Sequence, residues 1–441
     1  MSAAIGLSQD VEFRTDGGVL DEAPIAEGVL TLADAVRRAA TTDPRLQAAL
    51  ARVRVAMADA DQARLLPNPV LNFVLRWGPG KPQIEVSLAQ DLIQMFKIPR
   101  QASAADNRLR QAAADAVIVA LDAVAEVQER YVTVQTLESL VPVLTDRRAL
   151  LDNLVAIARA RLEAQEGTRS DLTTLEAQRV ELDVDIAEAK RQLAAERLRL
   201  ARLIGEPSGA AAWRVDPWVA PALVSNAEAR WIVAALMNRP EVRSVSWELA
   251  ALGDDAALAR LLPWEGLGLG FDAQRDDDWT MGPSVSTPIP VFDVGQARRA
   301  RLSAQQMEAR HNLTLAKRKV VEEVRVAFQS LEASAANLRR IQSELVPLQQ
   351  QRRQQAEDTY LAGQTDVTAL FLAEQDLRAA RAKAIEVEQQ MSIALIRLQR
   401  AVGGPGVAAS IGDSPASTQP TTPVSSGPLA PAPIVSRTPN H

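Results

Sequence analysis

Ala63-Arg64-Leu65-Leu66-Pro67 returns 196 residues later as Ala259-Arg260-Leu261-Leu262-Pro263. Each copy closes a helical stretch and opens a short β-patterned one, so the chain reads as one architecture written twice. The frame extends beyond the pentapeptide: Pro44 matches Pro240, Phe96 matches Phe292 and Ile98 matches Val294 at the same offset, and Asp171 pairs with Asp366 one residue out. The resulting division is an N-terminal extension (1–30), a first repeat (31–207), a linker (208–225), a second repeat (226–403) and a tail (404–441). The tail is rich in Pro, Ser, Thr and Ala and has no apolar period, which predicts disorder.

After each Leu-Leu-Pro the apolar period falls to two. Leu71, Phe73, Leu75 and Trp77 alternate with Val70, Asn72, Val74 and Arg76; past a Gly/Pro-rich turn, Ile84, Val86 and Leu88 alternate with Glu85, Ser87 and Ala89. In the second repeat Leu267, Leu269, Phe271 and Ala273 alternate with Gly268, Gly270, Asp272 and Gln274. A turn at Arg275 to Asp278 then leads into a return strand with Trp279, Met281 and Val285. Two β-hairpins follow, with strands at about 70–77, 83–90, 267–274 and 279–288. A soluble chain would bury the apolar faces against its helices. Trp77 and Trp279, beside the turns, instead stand where an aromatic belt at a membrane interface would place them. Four strands cannot close a barrel, and an open edge is not viable in lipid, so a membrane barrel requires several chains.

Long helices flank the hairpins. From Leu172, the residues Leu175, Arg179, Leu182, Ile186, Ala189, Leu193, Glu196, Leu200 and Leu203 follow at steps of three and four, with eight of the ten positions apolar, a coiled-coil seam. The second repeat steps through Val367, Leu370, Glu374, Leu377, Arg381, Ala384, Glu388, Met391, Leu395, Leu398 and Val402. Gly205 and Gly403 stop these helices. Before them lie longer stretches, about 100–163 and 296–361, each reaching ~90 to 100 Å at ~1.5 Å per residue. Their partners span about 168–204 and 366–402, so each repeat carries a helical hairpin with a tight tip. Pro142 and Pro347 interrupt the long stretches out of the repeat frame and read as independently placed kinks.

Composition agrees with rods rather than thick cores: among 441 residues aromatics make up 4%, there is no Cys, and Ala, Leu, Arg, Glu and Gln dominate. A net charge of −6 argues against nucleic acid as a partner. Without Cys, no disulfide, thiol chemistry or Cys-linked lipid anchor is expected. No apolar run approaches the ~18 to 20 residues of a membrane-spanning helix. The first ten residues lack the basic and apolar regions of a secretory signal, so the expectation is a cytosolic chain or one numbered after its signal. His311 lies in a polar helical stretch, His441 lies in the tail, and the seven Met are scattered, so no metal site is expected. No nucleophile–base pair, phosphate loop or dinucleotide motif occurs; neither an enzyme nor a cofactor is expected. Asp276-Asp277-Asp278 reads as a solvated turn or a cation-attracting one.

The order of helix, Leu66-Pro67-Asn68-Pro69, strand hairpin and long helical hairpin, then all of it again, resembles the TolC family of outer-membrane efflux ducts over about 31–404. Pro290-Val291-Phe292-Asp293 and Tyr360-Leu361-Ala362-Gly363 with Asp366 carry the resemblance further. Within the family the chain is similar to the heavy-metal and cation efflux branch. The resemblance implies a mainly α protein with a small β part. Three copies would build a twelve-stranded β-barrel in the outer membrane of a Gram-negative bacterium, continued by an α-helical barrel across the periplasm. Such a duct conducts small molecules or metal ions passively, fed by an inner-membrane pump through a periplasmic adaptor. The other function considered is a coiled-coil adaptor or scaffold without a channel, but an adaptor would carry one helical hairpin set into compact β-domains.

On this resemblance Leu71, Phe73, Leu75, Trp77, Ile84, Val86, Leu88, Leu269, Phe271 and Trp279 face outer-membrane lipid. Asp171 and Asp366 either cap the helices they open or, repeated threefold, ring the closed periplasmic mouth as a gate. Gly167, Thr168, Gly363 and Thr365 form the adaptor-contact tips, with both glycines at C-cap positions; Gly167 departs from its usual place directly after Ala.

Overall fold

Thr31 and Asp43 open the first pair of helices: the Thr31 hydroxyl accepts from the Asp34 N–H at 3.1 Å, and the Asp43 carboxylate accepts from the Arg45 N–H at 2.8 Å. Helices α1 (Leu32–Thr42) and α2 (Pro44–Gln62) are matched at the same 196-residue offset by α5 (Glu228–Asn238) and α6 (Pro240–Leu258). Pro44 and Pro240 each begin a helix, where a missing N–H costs nothing. The computed structural model describes Phe13 and residues 28–78, 82–207, 211–219, 227–275, 278–287, 289–362, 364–365 and 367–412.

In the first repeat β2 (Val70–Arg76) and β3 (Gln83–Asp91) lead into α3 (Leu92–Glu163), a helix of 72 residues that returns as α4 (Arg169–Leu203). In the second, β5 (Gly268–Arg275) and β6 (Trp279–Ser286) are followed by α7 (Gln296–Arg340), a π-helical turn (Ile341–Leu345), α8 (Val346–Leu361) and the return helix α9 (Val367–Val402). The four strands form one antiparallel sheet in the order β2-β3-β5-β6. α3 starts at Leu92 rather than near Arg100 because Asp91, the last residue of β3, caps it, accepting from the Gln94 N–H at 3.2 Å. Pro142 sits inside an unbroken α3, whereas Pro347 follows the π-helical turn, so the two prolines are handled differently.

Three regions depart from the linear reading. Within the linker, β4 (Arg214–Val215) pairs in parallel with β1 (Val29–Leu30) of the N-terminal extension, and the neighbouring Trp213 is fully buried. Tyr131 fastens this pair, donating to the Leu30 carbonyl at 2.8 Å and accepting from the Asp216 N–H at 3.1 Å. The start of the tail, where composition predicts disorder, is instead helix α10 (Pro405–Gly412), whose Ala408 and Ile411 join the second core; 413–441 lie outside the described residues. Two apolar residues placed by a turn beside a waiting cleft can order a segment whose composition predicts none.

One core gathers Val36, Leu46, Leu121, Leu200, Ile204 and Trp213; its repeat counterpart gathers Trp231, Val320, Phe328, Met391, Leu398 and Val402. A third, between α3 and α4, holds Leu151, Leu154, Leu175 and Leu182. The acidic seam positions are partnered: Glu196 accepts from Arg130 at 3.0 Å, Glu374 from Arg353 at 2.8 Å, and Glu388 from the Trp218 indole N–H at 2.8 Å. Where α9 ends on the start of α6, Arg239 donates to the Ala401 carbonyl at 3.0 Å and Arg400 to Glu241 at 2.7 Å. Gly403 turns the chain away there at φ 109°, and a Cβ on it would meet the Asn238 carbonyl at 3.3 Å.

Candidate functional site: an apolar sheet face and two helical tips

Residues opposed across antiparallel strands share a face, so the register decides what each side of the sheet presents. Leu71, Leu88, Phe271 and Pro283 lie in one row, Phe73, Val86, Ala273 and Met281 in the next, and Leu75, Ile84, Arg275 and Trp279 in a third. Leu269, beside Gln90 and Val285, extends the same face. On the other face lie Asn72, Ser87, Asp272 and Gly282, then Val74, Glu85, Gln274 and Thr280. A one-residue slip at any junction would have mixed the two sets. Apolar bulk therefore forms a continuous sheet-wide surface, while the opposite side is predominantly polar or small.

No helix covers enough of that surface to hide it: Phe73 is 63% exposed and Met281 66%. Burying a side chain of this size is worth ~1.5 to 3 kcal/mol, so so many bare residues in one patch mark a contact surface. At the turn end Trp77 is 79% exposed, and the Arg275 guanidinium lies 6.0 Å from the centre of the Trp279 ring. Position 270 falls on the polar face by alternation and has no room for a side chain: a Cβ there would meet the Ser284 hydroxyl at 2.6 Å and the Leu88 carbonyl at 3.0 Å. Among the described residues β2 and β6 have no strand on their outer edges.

The first tip closes through Gln165, not Gly167. Gln165 takes φ 63° while Glu166 N–H donates to the Arg161 carbonyl at 2.8 Å and Gln165 N–H to the Leu162 carbonyl at 3.1 Å, a Schellman ending with Gln165 in the left-handed position. This corrects the C-cap assignment of Gly167. Gly167 comes close to α3 instead, where a Cβ would meet the Arg161 side chain at 3.2 Å. Thr168 is the N-cap of α4, accepting from the Asp171 N–H at 3.1 Å. With the cap supplied by Thr168, the Asp171 carboxylate is exposed in the first turn and has no ion pair among the described residues. At the second tip the Thr365 and Thr359 hydroxyls are 2.9 Å apart; Gly363 and Asp366 lie outside the described residues.

Among the described residues no helix is long and apolar enough to cross a membrane, and no group of three or more His, Cys, Asp or Glu is placed to hold a metal ion. Of the acidic turn, only Asp278 is described.

Comparison with known proteins gives a consistent picture. Residues 231–404 match the family model described as outer membrane efflux protein. The cobalt-zinc-cadmium resistance protein CzcC of Cupriavidus metallidurans is 24% identical over 387 residues, spanning 86% of this chain and 91% of that one. The outer-membrane channel OprN superposes with a TM-score of 0.68 at 19% identity, covering 91% of this chain and 99% of its own. VceC of Vibrio cholerae superposes with a TM-score of 0.70 at 16% identity, covering 85% and 96%. At these identities the superpositions speak to the fold.

Proposed function

We propose, for a chain that belongs to the outer membrane efflux protein family, that three copies assemble into a passive duct through the outer membrane and periplasm. The chain is the outer-membrane channel component of an efflux system. The family is one of ducts, and catalysis plays no part in this reading. The single observation that carries the proposal is the four-stranded sheet, apolar across every strand on one face and open at both edges. An open edge in hydrocarbon leaves backbone groups unpaired at several kcal/mol each, so closure must come from further copies. Two copies would give the smallest barrels, of eight strands; three give twelve around a wider lumen.

In this reading lipid contacts Leu71, Phe73, Leu75, Ile84, Val86, Leu88, Leu269 and Phe271, with Trp77 and Trp279 at the interface. The polar face, including Asp272 and Gln274, lines the water-filled path. Long helices continue the path into the periplasm, where the two tips meet an adaptor and an inner-membrane pump supplies the energy. Divalent metal ions are the proposed cargo, by likeness to the cobalt-zinc-cadmium resistance protein. Asp171 and Asp366 form an acidic ring at the closed mouth. The exposed, unpaired state of Asp171 supports a role beyond capping. A free-standing periplasmic adaptor is not favoured, since the apolar sheet would then stand bare in water.

The test is mass measurement in detergent followed by conductance in a planar bilayer. A trimer that opens ion-conducting pores is expected. A monodisperse monomer that stays soluble without detergent would overturn the barrel. Loss of cobalt, zinc and cadmium tolerance on deletion, with tolerance to organic toxicants intact, is expected for metal cargo; the reverse pattern would refute it.

A further inference from the structure

Side by side below the sheet, α2 packs on α3, α3 on α6, and α6 on α7. The α3–α6 seam joins one repeat to the other. Along it the Asp254 carboxylate, buried, accepts from Ser103 at 2.6 Å and from Arg100 and Asn107 at 3.1 Å, while Ser244 donates to Asp115 at 2.6 Å. Asp255 pairs with Arg108 beside them. Ten residues down α6 thus correspond to roughly ten residues up α3, an antiparallel packing with a definite register.

The surfaces that this seam buries recur at the two ends of the chain, where nothing covers them. Ala251 of α6 is 2% exposed, but its repeat counterpart on α2, Val55, is 62% exposed. Ser244 and Asp254 are buried, while Ala48 and Ala58 are exposed. On the other partner Ala104 and Asn107 of α3 are buried, whereas Ala300 and Ser303 of α7 are exposed, with Met307 at 58% among them. Further along α7 the same offset holds, since Val320 and Ala327 occupy the buried positions of Val124 and Tyr131.

Charge says what fits. Carried over by the offset, the seam register sets Asp59 of α2 level with Arg301 of α7, and Arg52 level with Glu308, each pair opposite in sign. Within the chain all four side chains are exposed, and none makes an ion pair among the described residues. The sheet agrees by parity: rows that keep Trp279, Met281, Pro283 and Val285 on the apolar face can continue only onto Leu71, Phe73 and Leu75 of a following β2.

We infer that a second copy of this chain seats its α2 on α7 of the first, repeating between copies the packing that α6 makes on α3 within one. Asp59 then meets Arg301 and Arg52 meets Glu308 across the interface. The inference rests on the trimer reading but adds which surfaces meet and in what register.

The chain has no Cys, so engineered pairs report cleanly. Asp59→Cys with Arg301→Cys in the assembled protein, treated with a short bismaleimide, should give covalent dimers and trimers on a denaturing gel. Either single variant should give neither. Arg108→Cys with Asp255→Cys, at the internal seam, is the control and should cross-link within one chain, adding the mass of one reagent and giving no covalent oligomer. Charge reversal gives a second readout: Asp59→Arg or Arg301→Asp alone should shift the assembly toward monomer, and the two together should restore it. A trimer by mass with a cross-linked control, but no covalent ladder from the 59/301 pair, would overturn this interface while leaving the trimer standing. A monomer by mass for the unaltered protein would instead overturn the trimer reading beneath it.

Discussion

Arginine in place of Phe73 tests the sheet most directly. Phe73 is the central residue of β2, three residues from either end, with Val86 opposite it and Ala273 and Met281 completing its row. At ~3.4 Å per residue it lies ~10 Å along the strand from each end, near the middle of an apolar band ~25 Å tall. Arginine at that depth costs ~2 to 4 kcal/mol, or roughly 30- to 700-fold in the insertion equilibrium of one chain at ~1.4 kcal/mol per tenfold. If three copies assemble, the same change recurs at each. Asn72, one residue earlier, lies 3.4 Å from the Ser87 hydroxyl and shares its face with Asp272, so arginine there stays in water with a carboxylate within reach. Its cost should stay below ~1 kcal/mol, as for a surface charge. The assay is urea-dependent insertion into lipid vesicles, read by protease protection. Equal losses for Phe73→Arg and Asn72→Arg, or a larger loss for Asn72→Arg, would refute the assignment of faces.

Other outcomes follow from single contacts. Tyr131→Phe leaves the buried Leu30 carbonyl without its 2.8 Å donor and should lower stability by ~1 to 3 kcal/mol, seen as a lower thermal midpoint; an unchanged midpoint would mean the β1–β4 clasp is dispensable. Gly403→Ala puts a Cβ at φ 109° against the Asn238 carbonyl and should cost ~1 to 3 kcal/mol by the same measurement, whereas Gly78→Ala, with open space around it, should be milder. Burial pushes the Glu241 carboxyl up, but the charges of Arg400 and Arg239 outweigh it and hold its pKa below the usual glutamate value. A depressed carboxylate stabilises the fold above its unfolded value and loses that contribution as pH falls through the folded one, so Glu241→Gln should flatten the fall in thermal midpoint below about pH 4.5; an unaltered acid limb would refute the role of this ion cluster. Asp171→Asn with Asp366→Asn should reduce cation selectivity and block by multivalent cations in single-channel recording, and unchanged selectivity would leave both residues as helix-start residues only.

The doubled pentapeptide, the two-residue period of the strands, the three-and-four stepping of the return helices, and the stops at Gly205 and Gly403 are local properties. They depend on which residues lie within a turn or two of each other, so the sequence by itself determined the hairpin strands, the long helices and their order, but not the β1–β4 pair. It also determined which strand residues share a side, since alternation needs no partner strand. The pairing of β3 with β5 was different: its register joins Leu88 to Phe271 across 183 positions, and only tertiary structure decided that the rows through Leu88 and Val86 are apolar across all four strands. Charged seam residues were likewise unreadable, because Glu196 and Glu388 find partners in Arg130 and Trp218 on other segments. Composition could not foretell α10, which is ordered by the cleft it fills. Nor could residue type foretell the first tip, where the hydrogen bonds of Glu166 and Gln165 hold a glutamine in a conformation usually left to glycine. Local spacing sets what a segment can be, while burial and long-range partners decide what it becomes and where its charges can survive.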